Sequence, residues 1–179
     1  MTAQANVYAQ ALYDLARDEN CADTVLAELT ALSESYAAEP DYVRLLSAPN
    51  LSKEERCGIL DSAFRGKLHP YVLNFMKLLT EKGYMRLFRD CCESFRQTYN
   101  RDHGILEVRA VTAVALTDSQ RSRLKAKLAS VTGKTVCLLE RVDPDCLGGV
   151  RLDYDGKRLD DTVAHRLADI GALLKNTVL

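Results

Sequence analysis

The stretch that decides the fold is Val142-Asp143-Pro144-Asp145-Cys146-Leu147-Gly148-Gly149-Val150-Arg151-Leu152, continued by Lys157-Arg158-Leu159-Asp160-Asp161-Thr162-Val163-Ala164-His165-Arg166-Leu167. Asp143-Pro144 opens a turn, because the Asp carboxylate accepts from backbone N–H groups just downstream while Pro fixes φ and stops a helix from continuing. Gly148-Gly149 removes two side chains where the chain enters a strand, which predicts a bulge, a positive φ or the close approach of another backbone. Val150 to Tyr154 alternates as a strand does, and Asp155-Gly156 is a type I′ hairpin signal leading into Lys157 to Leu159. Either Asp160 or Asp161 then caps a last helix, where a carboxylate meets free N–H groups and the positive end of the dipole. Backbone-shaping residues stand where an enzyme would need reactive ones. An ordinary α+β module reads the same way.

Outward from this segment, the period of the apolar pattern divides the chain at Gly104. Beyond it, Leu106, Val108, Ala110, Thr112, Val114 and Leu116 alternate as in a strand packed on one side. Thr117-Asp118-Ser119-Gln120 is a capping box that starts a helix carrying Leu124, Leu128 and Val131 and ending at Gly133. Thr135 to Arg141 is a further strand, and the last helix places Val163, Leu167, Ile170 and Leu174 on one face. Before Gly104 the signal is helical: Thr2 to Asn20, Ala22 to Glu39, and a short third helix from Asp41 to Ser47 that stops before Pro49. Ser52-Lys53-Glu54-Glu55 is a capping box for the fourth helix. Pro70 suits the first turn of the fifth and Gly83 its C-terminal cap. The sixth carries Phe88, Cys91, Cys92, Phe95 and Tyr99. The expected architecture is α+β overall: an all-α six-helix bundle over 1–104, then a small α+β domain over 105–179.

Composition is that of a soluble globular protein, with 179 residues, 47% hydrophobic and 27% charged. Lys and Arg number 12 against 15 Asp and Glu up to Gly104, and 12 against 10 beyond it, so the two parts carry −3 and +2. Neither balance suits nucleic-acid binding. No apolar run approaches the roughly 20 residues that cross a bilayer, and Met1-Thr2-Ala3-Gln4 has no basic start followed by an apolar stretch. The chain is expected to be soluble, unprocessed and made in the cytosol, with no direct membrane insertion.

Several lookalikes of chemistry dissolve on inspection. Gly133-Lys134-Thr135 resembles the end of a phosphate loop, but Leu128 stands where that loop needs glycine, and the expected order is helix then strand, the reverse of the motif. It reads as a helix C-cap. Glu54-Glu55 and Asp160-Asp161 fall in first helical turns, where negative charge is expected on electrostatic grounds. His69, His103 and His165 are dispersed near helix ends. Cys21, Cys57, Cys91, Cys92, Cys137 and Cys146 include no C-x-x-C pair and are expected to be reduced and mostly buried. There is no G-x-S-x-G elbow, no metal-binding helix, no G-x-x-G clamp and no aromatic strand platform. No catalytic residue, cofactor or metal is expected.

Helical wheels supply the positive signal. The sixth helix confines its apolar residues to about 100°, an ordinary core stripe. The first spreads Val7, Tyr8, Ala9, Ala11, Leu12, Tyr13, Leu15 and Ala16 over about 240°, and the fifth spreads Tyr71, Val72, Leu73, Phe75, Met76, Leu78 and Leu79 over about 220°. Such helices either lie at the centre of a bundle or keep apolar surface for a partner helix, and in so small a bundle the partner reading is favoured. Tyr8, Ala11, Leu12, Tyr13, Leu73, Phe75, Leu78 and Leu79 are the candidate partner-binding residues, with Tyr8, Leu12, Phe75 and Leu79 also placed to point into the bundle. The arc edges Ala11, Tyr13, Leu73 and Leu78 are expected to meet the partner.

Three segments in order resemble the delta subunit family of F-type ATP synthases, whose mitochondrial member is the oligomycin-sensitivity-conferring protein. They are Val7-Tyr8-Ala9-Gln10-Ala11-Leu12-Tyr13-Asp14-Leu15-Ala16, then Ala110-Val111-Thr112-Ala113-Val114-Ala115-Leu116-Thr117, then Leu147-Gly148-Gly149-Val150 with Asp160. Asp161 stands where the family commonly has glycine and Thr162 where it commonly has serine, a change that keeps the hydroxyl. The resemblance implies a non-catalytic stator subunit at the cytoplasmic side of a bacterial cell membrane. Its helical bundle would hold the N-terminal helix of an alpha subunit, and its C-terminal domain would meet the b subunit of the peripheral stalk. Asp143, Pro144, Gly148, Gly149, Asp160 and Thr162 would then be structural supports of that second domain. The competing expectation is a soluble helical adaptor unrelated to the synthase.

Overall fold

The computed structural model describes residues 2–39, 41, 45–46 and 51–167. The chain falls into two compact units, Met1–Tyr99 and Asn100–Leu179.

The first unit is built from α1 (Ala3–Asp18), α2 (Ala22–Ala38), α3 (Lys53–Phe64), α4 (Pro70–Glu81), a 3-10 turn at Met85–Leu87, and α5 (Phe88–Asp102), which runs past the division. Most of the third helix expected from the sequence lies outside the described residues. Helix starts follow local chemistry. Thr2 Oγ1 accepts from the N–H of Ala5 at 3.4 Å. At α3 the capping box closes both ways, Glu55 N–H to Ser52 Oγ at 3.2 Å and Ser52 N–H to Glu55 Oε2 at 2.8 Å. Pro70 opens α4 behind an unexpected cap, the imidazole of His69, whose Nδ1 accepts from the N–H of Tyr71. The His69 N–H is itself held by both carboxylate oxygens of Glu28, at 3.0 and 2.8 Å, which ties the start of α4 to α2.

The core of this unit takes Ala5, Ala9, Leu12, Tyr13 and Ala16 from α1, Val25 and Leu29 from α2, and Phe88 and Phe95 from α5. α4 is its central helix, burying Val72, Leu73, Phe75, Met76, Leu79 and Thr80. Small residues on α1 let its neighbours approach closely, and the ring of Tyr13 stands edge-on to Phe95, with centroids 5.4 Å apart at 75°. Cys91 and Cys92 are buried thiols, and desolvation pushes the Cys91 thiol up to about 11 and Cys92 higher still. Cys146 is also buried, Cys21 and Cys57 are half-buried, and Cys137 is exposed.

The second unit is a four-stranded sheet with β1 (Ile105–Thr112), α6 (Asp118–Thr132), β2 (Thr135–Val142), a 3-10 turn at Pro144–Cys146, β3 (Val150–Tyr154) and β4 (Lys157–Asp160). The strand order is β2-β1-β3-β4, with β1 parallel to β2 and the other pairs antiparallel. Leu106, Val108, Ala110 and Leu152 form its core, with Leu124, Leu128, Val136 and Leu138 packed against them. The Thr117/Gln120 capping box forms at α6, and Gly133 ends that helix at φ +67 before β2 begins, so Gly133-Lys134-Thr135 is a helix stop and not a phosphate loop. Asp155 and Gly156 both have positive φ, +46 and +72, as a type I′ turn requires.

Two expectations need correction. The strand expected to alternate through Leu116 stops at Thr112, whose hydroxyl donates to the Val114 carbonyl at 2.7 Å and bends the chain out of the sheet, leaving Val114 exposed. α6 reaches the sheet through Leu124 and Leu128, while Val131 stays exposed. Among the described residues no helix is long and apolar enough to cross a membrane, and no cluster of His, Cys, Asp and Glu is set to hold a metal.

Candidate interaction surfaces

The signature residues Asp143, Pro144, Gly148, Gly149, Asp160 and Thr162 are far apart in sequence yet meet at one end of the sheet. β1 ends there at Thr112, whose carbonyl accepts from the N–H of Asp143 at 2.8 Å. Asp143 Oδ1 accepts from the N–H of Asp145 at 3.2 Å, and Pro144 starts the 3-10 turn that buries Cys146. The chain leaving β4 is laced to the chain entering β3: Asp161 N–H donates to the Val150 carbonyl at 3.1 Å, and Val163 N–H to the Gly148 carbonyl at 3.0 Å.

That lacing separates the two glycines. Gly149 has φ +79, and a Cβ there would lie 2.2 Å from the carbonyl oxygen of Asp161. A Cβ on Gly148 would meet only Val163 Cγ2 at 3.3 Å. Gly148→Ala is therefore expected to cost under about 1.5 kcal/mol, as a small repacking does, read by thermal unfolding.

The cap of the last helix is neither aspartate. Residues 163–167 are helical, and Thr162 is the N-cap: its Oγ1 accepts from the N–H of His165 at 3.2 Å while its hydroxyl donates to Asp160 Oδ1 at 2.7 Å. Asp160 also accepts from the N–H of Thr162 at 3.1 Å, so it orients the cap, and Asp161 instead pairs with Arg166. A carboxylate at position 160 or 161 was the stronger electrostatic expectation, but the backbone turns helical one residue later, and the buried Thr162 is the group in reach. Asp161 has no positive φ, so nothing in its backbone demands glycine. Ile170 and Leu174 lie outside the described residues, and Val163 and Leu167 are exposed.

The hydrogen bonds from Thr162 hold the Asp160 carboxyl below its ordinary value. A carboxyl lowered in the folded state adds stability above its unfolded value, and that stability is lost as pH falls through the folded value. Asp160→Asn is therefore expected to flatten the fall of the second unit's melting temperature below about pH 4. Circular dichroism melts at several pH values read this.

The apolar arcs of the first unit are largely consumed by its own core. Of the residues expected to serve a partner, Leu12, Tyr13, Leu73, Phe75 and Leu79 are buried. Tyr8 is half-buried beside Tyr84, with ring centroids 6.0 Å apart, while Ala11 and Leu78 are exposed. Tyr13 and Leu73, expected at the arc edges, are corrected to core: Tyr13 packs on Phe95, and α4 buries the Leu73 flank of its arc while the Leu78 flank stays open. What α1 leaves outside is a stripe that takes in the expected edge residue Ala11 and adds Val7 and Leu15 from the same arc, at i, i+4 and i+8, with Val7 69% and Leu15 43% exposed. Leu78 on α4 is 39% exposed.

Comparison with known proteins agrees over almost the whole length. The family described as ATP synthase delta (OSCP) subunit matches residues 5–174. The chain is 32% identical over 168 residues to an ATP synthase subunit delta of Desulfitobacterium hafniense, covering 94% of each. It is 31% identical to one from Leuconostoc citreum, covering 95% of this chain and 94% of that one. Among solved structures, a chain of the Toxoplasma gondii mitochondrial ATP synthase hexamer superposes with a TM-score of 0.78 at 18% identity, covering 97% of this chain and 98% of that one, a likeness of fold.

Proposed function

The chain belongs to the ATP synthase delta (OSCP) subunit family, and from that premise we propose that its two units divide the work of a stator between two partners. The protein is a non-catalytic component of the peripheral stalk of the F-type ATP synthase, a peripheral part of a membrane complex. The family match over residues 5–174 displaces the reading of an unrelated adaptor.

The first unit holds the N-terminal helix of the alpha subunit, and the second meets the b subunit on the cytoplasmic side of the membrane. The observation that carries the first half is the exposed stripe of Val7, Ala11 and Leu15, with Leu78 and the half-buried Tyr8, on a unit whose core is already filled. An amphipathic helix laid on it would bury apolar surface that the fold leaves in water. A six-helix count for this unit is supported by helical backbone at Asp41, Leu45 and Leu46, with Leu46 buried in the same core. The work is mechanical: rotation of the central shaft exerts torque on the catalytic head, and a link between head and stalk resists it.

The test of the assignment is recovery of alpha, beta and b subunits with the tagged full chain from a membrane extract. Recovery of none of them contradicts the reading. The test of the surface is charge placement. Ala11→Asp and Leu78→Asp are expected to weaken binding of an alpha N-terminal peptide at least about tenfold while leaving the melting temperature nearly unchanged, because surface substitutions usually cost within about 0.5 kcal/mol. Unchanged affinity in both variants, by calorimetry, refutes this placement.

A further inference from the structure

Among the described residues, the strand β2 is hydrogen-bonded on one side only. Its partner there is β1, and it forms one edge of the sheet. The N–H of Thr135 donates to the Gly104 carbonyl at 3.0 Å, and the N–H of Asp143 to the Thr112 carbonyl at 2.8 Å. Odd-numbered positions thus turn their backbone groups toward β1. Because backbone direction alternates along a strand, Val136, Leu138 and Glu140 turn theirs outward.

The edge has charged residues only at Glu140 and Arg141 and none from Thr135 to Leu139. It is eight residues long, in unbroken register with β1 and without proline, whereas the opposite edge, β4, has four residues. Long regular edges recruit another strand unless something blocks them. Apolar and thiol side chains stay exposed along it: Cys137, Leu139 at 37% and Val142 at 50%.

Charge indicates what such a strand would carry. On the helix side, the start of β2 and the last turns of α6 border a shallow cleft lined by Lys125, Ala126, Ala129, Lys134 and Val136. α6 carries Arg121, Arg123, Lys125 and Lys127 against a single carboxylate, Asp118. Glu140 is the only carboxylate of β2 and is already held by Arg121, which also pairs with Asp118. Lys134 reaches Asp155 at 3.7 Å, but both side chains are open to solvent, where such a pair holds weakly. A strand laid along β2 would therefore direct alternate side chains toward two lysines and the intervening ones beside Cys137 and Leu139.

We propose that the free edge of β2 receives an extended segment of the b subunit as a fifth strand, with carboxylates at alternate positions facing Lys125 and Lys134 and apolar side chains beside Cys137 and Leu139. This rests on the stator reading above and names the surface of the second unit that the stalk uses. Main-chain hydrogen bonds supply the affinity, and the two lysines select an acidic segment over a basic one.

The test uses the full chain and the purified soluble part of the b subunit from the same synthase. Amide hydrogen exchange is expected to show Val136, Leu138 and Glu140 exchanging fast in the free protein and slowly in the complex, while Cys137 and Leu139, already bonded to β1, change little. The double variant Lys125→Glu, Lys134→Glu should bind at least about tenfold more weakly with an unchanged melting temperature, and added salt should weaken the wild type more than the variant. If b binds normally to the double variant, or binds while the outward amides stay unprotected, the edge is not its site, although the stator reading stands. Protection that grows with concentration of the protein alone would make a second copy the occupant and overturn the proposal. If wild type does not bind b at all, both the proposal and the reading beneath it fall.

Discussion

Gly149→Ala is expected to unfold the second unit at temperatures where the first remains folded. The residue sits at φ +79, where alanine alone costs about 1 kcal/mol. The larger effect is steric, because a Cβ would lie 2.2 Å from the carbonyl oxygen of Asp161, and backbone, unlike a long side chain, has nowhere to go. Relieving that overlap separates the strands of chain joined by the Asp161 to Val150 and Val163 to Gly148 hydrogen bonds, each worth about 1 kcal/mol. The sum is about 3 kcal/mol or more, a large share of the roughly 5–15 kcal/mol that holds a domain together. Calorimetry should resolve a lowered transition for one unit and an unchanged one for the other. A single unshifted transition would mean that the turn does not support the unit.

The second large effect belongs to the other unit. Phe95 is fully buried, and its ring meets Tyr13 edge-on at 5.4 Å. Phe95→Ala removes that contact and leaves a cavity beneath α1, at an expected cost of about 3–5 kcal/mol. Binding of the alpha peptide should be lost with the fold, whereas Ala11→Asp loses binding and keeps the fold. Thermal unfolding beside calorimetry separates the two. A Phe95→Ala protein that melts like wild type would contradict the core described here.

How legible this was in the sequence depended on whether the signal was local. The capping boxes at Ser52/Glu55 and Thr117/Gln120, the stop at Gly133 and the Asp155-Gly156 turn each rest on residues within one turn of backbone, and each forms as read. Tyr13 and Leu73 could not be placed in the same way. A wheel shows that an arc is broad, but which part of it faces a neighbour depends on the packing of α2, α4 and α5. The Glu28 carboxylate on the His69 N–H spans 41 positions, and no periodicity announces it. The glycine pair lies between these cases. Gly148-Gly149 predicted a bulge, a positive φ or a close approach, but only the lacing of residues 160–163 against 148–150 shows that Gly149 bears the last two. The same lacing moves the cap from the aspartates to Thr162. Sheet order was equally hidden: alternation marks a strand, not its neighbours, so the free edge of β2 emerges only from the hydrogen-bonded pairing.

The central claim is that the two units serve two partners, and the most direct measurement is calorimetric binding of the alpha N-terminal peptide and of soluble b subunit to the full chain in three forms: wild type, Gly149→Ala and Leu78→Asp. Wild type is predicted to bind both. Gly149→Ala should keep the alpha peptide and lose b, and Leu78→Asp should do the reverse. Loss of the alpha peptide in Gly149→Ala with b retained would contradict the account.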